Sequence, residues 1–146
     1  MDNLKYDTLR LQNQLCFPLY AASREIIKNY KPFLDELDLT YTQYITLMLL
    51  WENKTMRVKE IGEMLYLDSG TLTPLLKKLE CKGLITRARS IEDERNLNVT
   101  ITEAGEALQN RALDIPAKIV ATTGLSPKET ETLYTLLYKV LSGANE

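Results

Sequence analysis

Apolar residues recur at three- and four-residue spacings through most of the chain, the periodicity of amphipathic helices, and switch to strict alternation in one short interval. The clearest stripe is Leu72, Leu75, Leu76 and Leu79, within residues 67–79, with Ser69 and Gly70 at its start. Thr73 and Lys77 lie one turn apart on another face. Leucines behind, with small hydroxyls and lysines in front, make a shape that enters a DNA major groove. They also make an ordinary surface helix with a solvated polar face. Periodicity does not choose between the two, so the neighbouring segments must.

Upstream, Gln12, Cys16, Leu19, Ser23, Ile26, Ile27 and Tyr30 fall on one stripe and predict a helix over about residues 8–30. Pro18 interrupts it, because proline removes a helical hydrogen bond and crowds the carbonyl four residues earlier, here that of Gln14. The helix is therefore kinked beside Cys16 or begins anew near Phe17, and either leaves the Cys16 neighbourhood irregular. Lys31-Pro32 closes it, with a short connection over residues 33–39. Thr40 and Gln43 have capping-box spacing, and residues 41–53 carry Ile45, Leu47, Met48, Leu49, Leu50 and Trp51, apolar nearly all round and hence central. Val58, Ile61, Met64 and Leu65 mark a third, short helix. A turn through Asp68-Ser69-Gly70 then leads into the leucine stripe, with Asp68, Ser69 or Thr71 as the cap and Pro74 early in the helix, where a missing donor costs least. Two short helices joined by a tight turn make a helix-turn-helix.

Gly83 ends the second of these helices, and strands follow over residues 84–89 and 97–101, with a charged tip over residues 91–96. A helix-turn-helix followed directly by such a hairpin is a winged helix. Thr102 then caps a helix carrying Ala104, Leu108, Ala112, Ile115 and Ile119, bent at Pro116 and ended by Gly124. Ser126-Pro127-Lys128-Glu129 starts the last helix, striped by Leu133, Leu136, Leu137, Val140 and Leu141. The predicted fold is mainly α with a small β-hairpin. One domain over residues 1–146 holds a winged helix-turn-helix at about 40–101, flanked by helices at about 1–35 and 102–146. The flanking helices carry more apolar surface than a small core needs, which points to a homodimer suited to reading symmetric DNA.

Composition narrows the chemistry. With 146 residues, 45% of them hydrophobic, one globular domain is expected, and no apolar run approaches a membrane span. The N-terminus lacks a signal-peptide pattern, so a soluble cytoplasmic protein is expected. The net charge of −2 conceals an island of Lys77, Lys78, Lys82, Arg87 and Arg89 against the single acid Glu80. A basic island on an acidic body suits a protein that presents one face to double-stranded DNA. The chain has no histidine, which removes Ser-His and Cys-His catalytic pairs and histidine metal sites. Cys16 and Cys81 are too few for a thiolate zinc site and are expected to be reduced at rest. No cofactor is implied.

Over essentially its whole length the chain resembles the MarR-family transcription regulators. The order of elements matches, as do Gly83-Leu84-Ile85-Thr86-Arg87 and Glu92-Asp93-Glu94-Arg95 around the wing. The resemblance is closest to the organic-hydroperoxide resistance branch (OhrR), through Leu11-Gln12-Asn13-Gln14-Leu15-Cys16-Phe17, through Leu65-Tyr66-Leu67-Asp68-Ser69-Gly70-Thr71-Leu72-Thr73-Pro74, and through the pair Tyr30 and Tyr41. It implies a repressor, not an enzyme, released from operator DNA when organic hydroperoxide oxidises Cys16. The thiolate would accept hydrogen bonds from Tyr30 and Tyr41, with Tyr20 nearby. Ser69, Thr71, Thr73 and Pro74 would face bases, and Lys77 and Lys78 phosphates, with Arg87 in the same basic surface. Arg95 would enter the minor groove, oriented by Asp93. Two departures stand out. Pro18 replaces an ordinary helix former, and no cysteine lies in residues 82–146, where resolving cysteines of this branch occur.

Against this, a cysteine on an apolar stripe is ordinarily a structural thiol. Cys16 and Tyr30 are 14 residues apart, about 21 Å on one straight helix. They meet only if Tyr30 comes from the other subunit or the helix breaks sharply. The oxidised thiol could end as a mixed disulfide with a small cellular thiol, as a sulfenamide, or less readily bonded to Cys81. Competing readings are a MarR-type repressor released by a small aromatic ligand in the dimer cleft with Cys16 as packing, a thiol peroxidase, and a winged helix used only for protein contacts.

Overall fold

The computed structural model describes residues 4–89, 91 and 96–144. Its helices are α1 (Cys16–Asp35), α2 (Tyr41–Asn53), α3 (Val58–Leu65), α4 (Ser69–Cys81), α5 (Glu103–Ala112), α6 (Ile115–Thr122) and α7 (Pro127–Ala144), with strands β1 (Thr55–Arg57), β2 (Ile85–Arg89) and β3 (Leu97–Ile101). They form two compact units, Met1–Asn29 with Ile115–Glu146, and Tyr30–Asp114, so the boundaries fall within α1 and between α5 and α6. No helix among the described residues is long and apolar enough to cross a membrane.

In the second unit α2 is the hub, packed against α3, α4, α5 and the sheet. Leu47 and Leu50 are fully buried, and the Trp51 indole N–H donates to the Gly105 carbonyl at 2.9 Å. The expected capping box is present. Gln43 N–H donates to Thr40 Oγ1 (3.3 Å) and Thr40 N–H to Gln43 Oε1 (3.1 Å). Two apolar positions assigned to buried stripes are instead exposed, Met48 on α2 and Met64 on α3.

The winged helix is there, with one strand more than the hairpin. β2 and β3 pair antiparallel from Ile85↔Ile101 to Arg89↔Leu97, and β1 pairs with the other edge of β3, Thr55 opposite Thr100. The sheet order is β1-β3-β2. Three residues are too short an alternation to announce a strand; β1 exists because β3 offers it a free edge. Gly83 makes the exit from α4 possible. At φ +73° it closes a Schellman turn, its N–H on the Glu80 carbonyl and the Leu84 N–H on the Leu79 carbonyl.

Helix boundaries lie near three prolines, and two of them differ from the sequence reading. Of the two outcomes expected at Pro18, the fresh start is the one found, at Cys16 beside Phe17. Two short 3-10 turns, Asp7–Leu9 and Leu11–Asn13, precede it, and Gln14, whose carbonyl Pro18 would crowd, is extended at φ −95°, ψ 121°. Pro18 thus sits in the first turn, where no donor is missed, and α1 is unbroken. It also runs through Pro32 to Asp35, because one lost bond near the C-terminus is outweighed by burial of Leu34. The bent helix expected around Pro116 is two helices, with Pro116 the second residue of α6. The stripe of α5 holds at Ala112, while at its start Gly105 is buried and Ala104 exposed.

In the first unit, α7 has no buried residue among those described, and Leu133, Leu136 and Val140 of its stripe are exposed. Its start is as expected, Ser126 N–H donating to Glu129 Oε1 (2.9 Å) and Glu129 N–H to Ser126 Oγ (3.2 Å).

Gly105 is fixed by contact. A Cβ there would lie 2.3 Å from the Leu84 carbonyl oxygen and 2.8 Å from Ile101. Gly105→Ala should therefore destabilise the protein by about 1–3 kcal/mol, read by urea denaturation. Gly143→Ala, with nothing within 4 Å, should be neutral or slightly stabilising.

Candidate functional site

The reading helix α4 is set by its cap and its stripe. Asp68 is the N-cap, its Oδ1 accepting the Thr71 N–H at 2.7 Å. That bond and one with the Thr71 hydroxyl hold the Asp68 carboxyl below the usual carboxylate range. Ser69 and Gly70 therefore form the first turn of the helix instead of the loop before it. Leu72, Leu75, Leu76 and Leu79 are buried, which leaves Ser69, Thr71, Thr73, Pro74, Lys77 and Lys78 together on the exposed side. Pro74 is the sixth residue of α4, past the first turn, so the Gly70 carbonyl loses its helical partner there, a greater cost than expected for an early proline.

The basic island divides into two kinds of cation. None of the ion pairs among the described residues involves Lys77 or Lys78. Arg87, by contrast, is turned onto α4. Its backbone N–H donates to Glu80 Oε2 and its Nη2 to Glu80 Oε1, both at 3.1 Å, and its side chain is 17% exposed. The guanidinium holds the Glu80 carboxyl below the usual range. Lys82 is likewise engaged, with Asp38 and Gln43. Asp93 and Arg95 of the wing tip lie outside the described residues.

Cys16 is the first residue of α1 and is exposed, which removes the reading of a buried packing thiol within the chain. The preceding motif explains its placement. Asn13 Nδ2 donates to the Asp7 carbonyl (2.7 Å), and Gln14 Nε2 to the carbonyls of Thr8 (2.6 Å) and Arg10 (2.8 Å). The two amides fold the N-terminal turns upon themselves and deliver the sulfur to the start of the helix, beside the first-turn main-chain N–H groups. One turn on, Arg24 Nη1 donates to the Tyr20 hydroxyl oxygen at 3.0 Å with its guanidinium 5.4 Å from the ring, so the phenol proton remains available to an acceptor. Cys81, also exposed, is the last residue of α4.

Tyr30 and Tyr41 belong to the second unit, and the structure brings this pair together with ring centroids 4.9 Å apart. Tyr44 completes the cluster at 5.8 Å from Tyr30, and itself meets Trp51 edge-on. The sequence reading missed Tyr44, although its place one turn after Tyr41 puts both on one face. Burial, aided by Tyr41 and Tyr44, pushes the Tyr30 phenol up to about 12, and burial also raises Tyr41 and Tyr44. These hydroxyls keep their protons across the physiological range. Cys16 and Tyr20 fall in the other unit. Glu80 was also missed, its partner Arg87 lying across the turn from α4 to β2, and so was Arg24, although its four-residue spacing from Tyr20 puts both on one face of α1.

A model of the transcriptional regulator SarA/Rot family matches residues 28–111. The organic hydroperoxide resistance transcriptional regulator of Bacillus subtilis (strain 168) is 53% identical over 141 residues, covering 97% of this chain and 95% of that protein. The regulator SarZ of Staphylococcus epidermidis (strain ATCC 12228 / FDA PCI 1200) is 46% identical over 123 residues, 84% of this chain and 83% of its own. Among solved structures, reduced AbfR bound to DNA superposes with a TM-score of 0.78 at 36% identity, covering 97% of this chain and 99% of that one. AbfR, from Staphylococcus epidermidis, has also been solved overoxidised on DNA and in a disulfide form.

The tyrosine cluster gives a pH signature. Its folded state favours the neutral Tyr30 phenol, so that contribution is complete below pH 10 and is lost as pH rises towards about 12. Titration of phenolate absorbance should show a late component that Tyr30→Phe removes. A profile unchanged by the substitution would contradict the assignment.

Proposed function

The chain belongs to the SarA/Rot family of MarR-like winged-helix transcriptional regulators, and on that premise we propose that it is a redox-sensing repressor. As a homodimer it holds operator DNA while Cys16 is reduced, and lets go when an organic hydroperoxide oxidises that thiol. The observation that carries this reading is an exposed cysteine at the first residue of α1, in a chain 53% identical to an organic hydroperoxide resistance regulator.

The exposed side of α4 supports the DNA half of the proposal. Ser69, Thr71, Thr73 and Pro74 face bases in the major groove, and Lys77 and Lys78 meet phosphates. Arg87 serves by fixing the base of the wing to Glu80, and Arg95, oriented by Asp93, reaches the minor groove. The exposed apolar side chains of the first unit, Leu15, Phe17 and Leu19 near the cysteine and Leu133, Leu136 and Val140 on α7, support the dimer. Burying what remains exposed of each gains up to about 1.5–3 kcal/mol, and together they form more apolar surface than a monomer ordinarily leaves in water.

In the dimer, the first-turn N–H groups of α1 and the hydroxyl of Tyr20 stabilise the Cys16 thiolate, with Tyr30 and Tyr41 contributed across the subunit boundary. An uninterrupted α1 supports this arrangement, since it lacks the sharp break that pairing within one chain would need. The sulfur attacks one peroxide oxygen and the O–O bond breaks. The alkoxide leaves with a proton as an alcohol, and Cys16 becomes a sulfenic acid. Condensation with a small cellular thiol, or with a backbone nitrogen, expels water and leaves a mixed disulfide or a sulfenamide. The added bulk at a packed interface costs about 1–3 kcal/mol, on the order of a 5- to 150-fold loss of operator affinity.

A gel shift on the promoter of the protein's own gene tests this. Cys16→Ser should bind like wild type and stay bound under organic hydroperoxide that releases wild type. Release of the variant by peroxide would refute the sensor assignment.

A further inference from the structure

Lys82 counts towards the basic island, yet its ammonium is already occupied. The residue is the C-cap of α4. Its Nζ donates to the Asp38 carbonyl and, at 3.1 Å, to Gln43 Oε1, with the Asp38 carboxylate 3.6 Å away. Two hydrogen bonds and an ion-pair contact thus engage a group that has three donors.

The acceptors are as telling as the donor. Asp38, at φ +54°, forms the corner between α1 and α2. Gln43 is 3% exposed, and the oxygen that receives Lys82 also receives the Thr40 N–H of the α2 capping box. A single buried amide oxygen therefore holds both the first turn of α2 and the end of the reading helix. Its flanking turn carries the aromatic cluster, Tyr41 two residues before it and Tyr44 next after it, both against Tyr30.

We propose that Lys82 is a positioning residue and not a phosphate contact. It ties the C-terminal end of α4 to the tyrosine-bearing corner, so that a shift of that corner is carried into the placement of α4. The tie stands on geometry alone, and its role in peroxide release rests on the repressor reading above.

The test measures operator binding of wild type, Lys82→Met and Lys82→Arg across a range of salt, with and without organic hydroperoxide, alongside amide hydrogen exchange. Lys82→Met should lower affinity on the order of 2- to 30-fold and narrow the ratio between reduced and peroxide-treated protein. Its slope of log affinity against log salt should match wild type, since no phosphate contact is lost. Exchange should quicken together in residues 40–44 and 79–82, and Lys82→Arg, which can donate to the same oxygens, should restore wild-type behaviour. A salt slope lower by about 1 with exchange unchanged would make Lys82 a phosphate contact and overturn the proposal. So would a Lys82→Met protein indistinguishable from wild type. If peroxide fails to release wild type, the repressor reading falls, while salt slope and exchange still decide the role of Lys82.

Discussion

The arrangement of the reading surface depends on the burial of four leucines. Leu72, Leu75, Leu76 and Leu79 are each 6% exposed or less, and α4 rests through that face against α2 and β2. Once that face is committed, the helix has no rotational choice, and hydroxyls, proline and the lysine pair are left outward together. The Asp68 cap fixes where the helix begins, and the Gly83 turn fixes where it ends and β2 starts. The two polar ties at its end, Glu80 to Arg87 and Lys82 to Gln43 and Asp38, add direction to what apolar packing alone would leave free to slide. Apolar contact supplies the energy here, and the hydrogen bonds supply the register.

A second constraint governs the cysteine. Pro18 cannot tolerate a helical Gln14, so α1 can begin only a few residues before it, and the Asn13 and Gln14 amides take up the turns that precede. The sulfur then occupies the first helical position, exposed and close to main-chain donors. A residue that looked like an obstacle to the sensor is what locates it. The same rule applied at Pro116 divides one expected helix into two, and the boundary between the compact units follows that division.

Much of this was legible in the sequence because it rests on local rules. Helical periodicity, the Thr40–Gln43 and Ser126–Glu129 boxes, the Gly83 stop and the β2–β3 alternation all depend on residues a few positions apart. The pairing of Tyr30 with Tyr41 was legible through family resemblance alone. Hidden were contacts whose partners share no short spacing. β1 is created by the edge of β3, Lys82 is drawn inward by Gln43, and Gly105 is demanded by the Leu84 carbonyl. Two prolines were misjudged. Pro32 was read as a helix stop and Pro116 as a bend, whereas packing carries α1 past Pro32 and Pro116 sits in the first turn of α6.

The proposed mechanism makes the state of one sulfur control the placement of two reading helices. Its most direct test follows both quantities in the same samples. Protein on operator DNA is treated with rising amounts of organic hydroperoxide, the oxidised fraction of Cys16 is read by mass spectrometry of the peptide that contains it, and the released fraction by fluorescence anisotropy of the DNA. The two fractions should rise together, with Cys81 oxidation lagging behind release. Full oxidation of Cys16 with DNA still bound, or release that precedes it, would contradict the account.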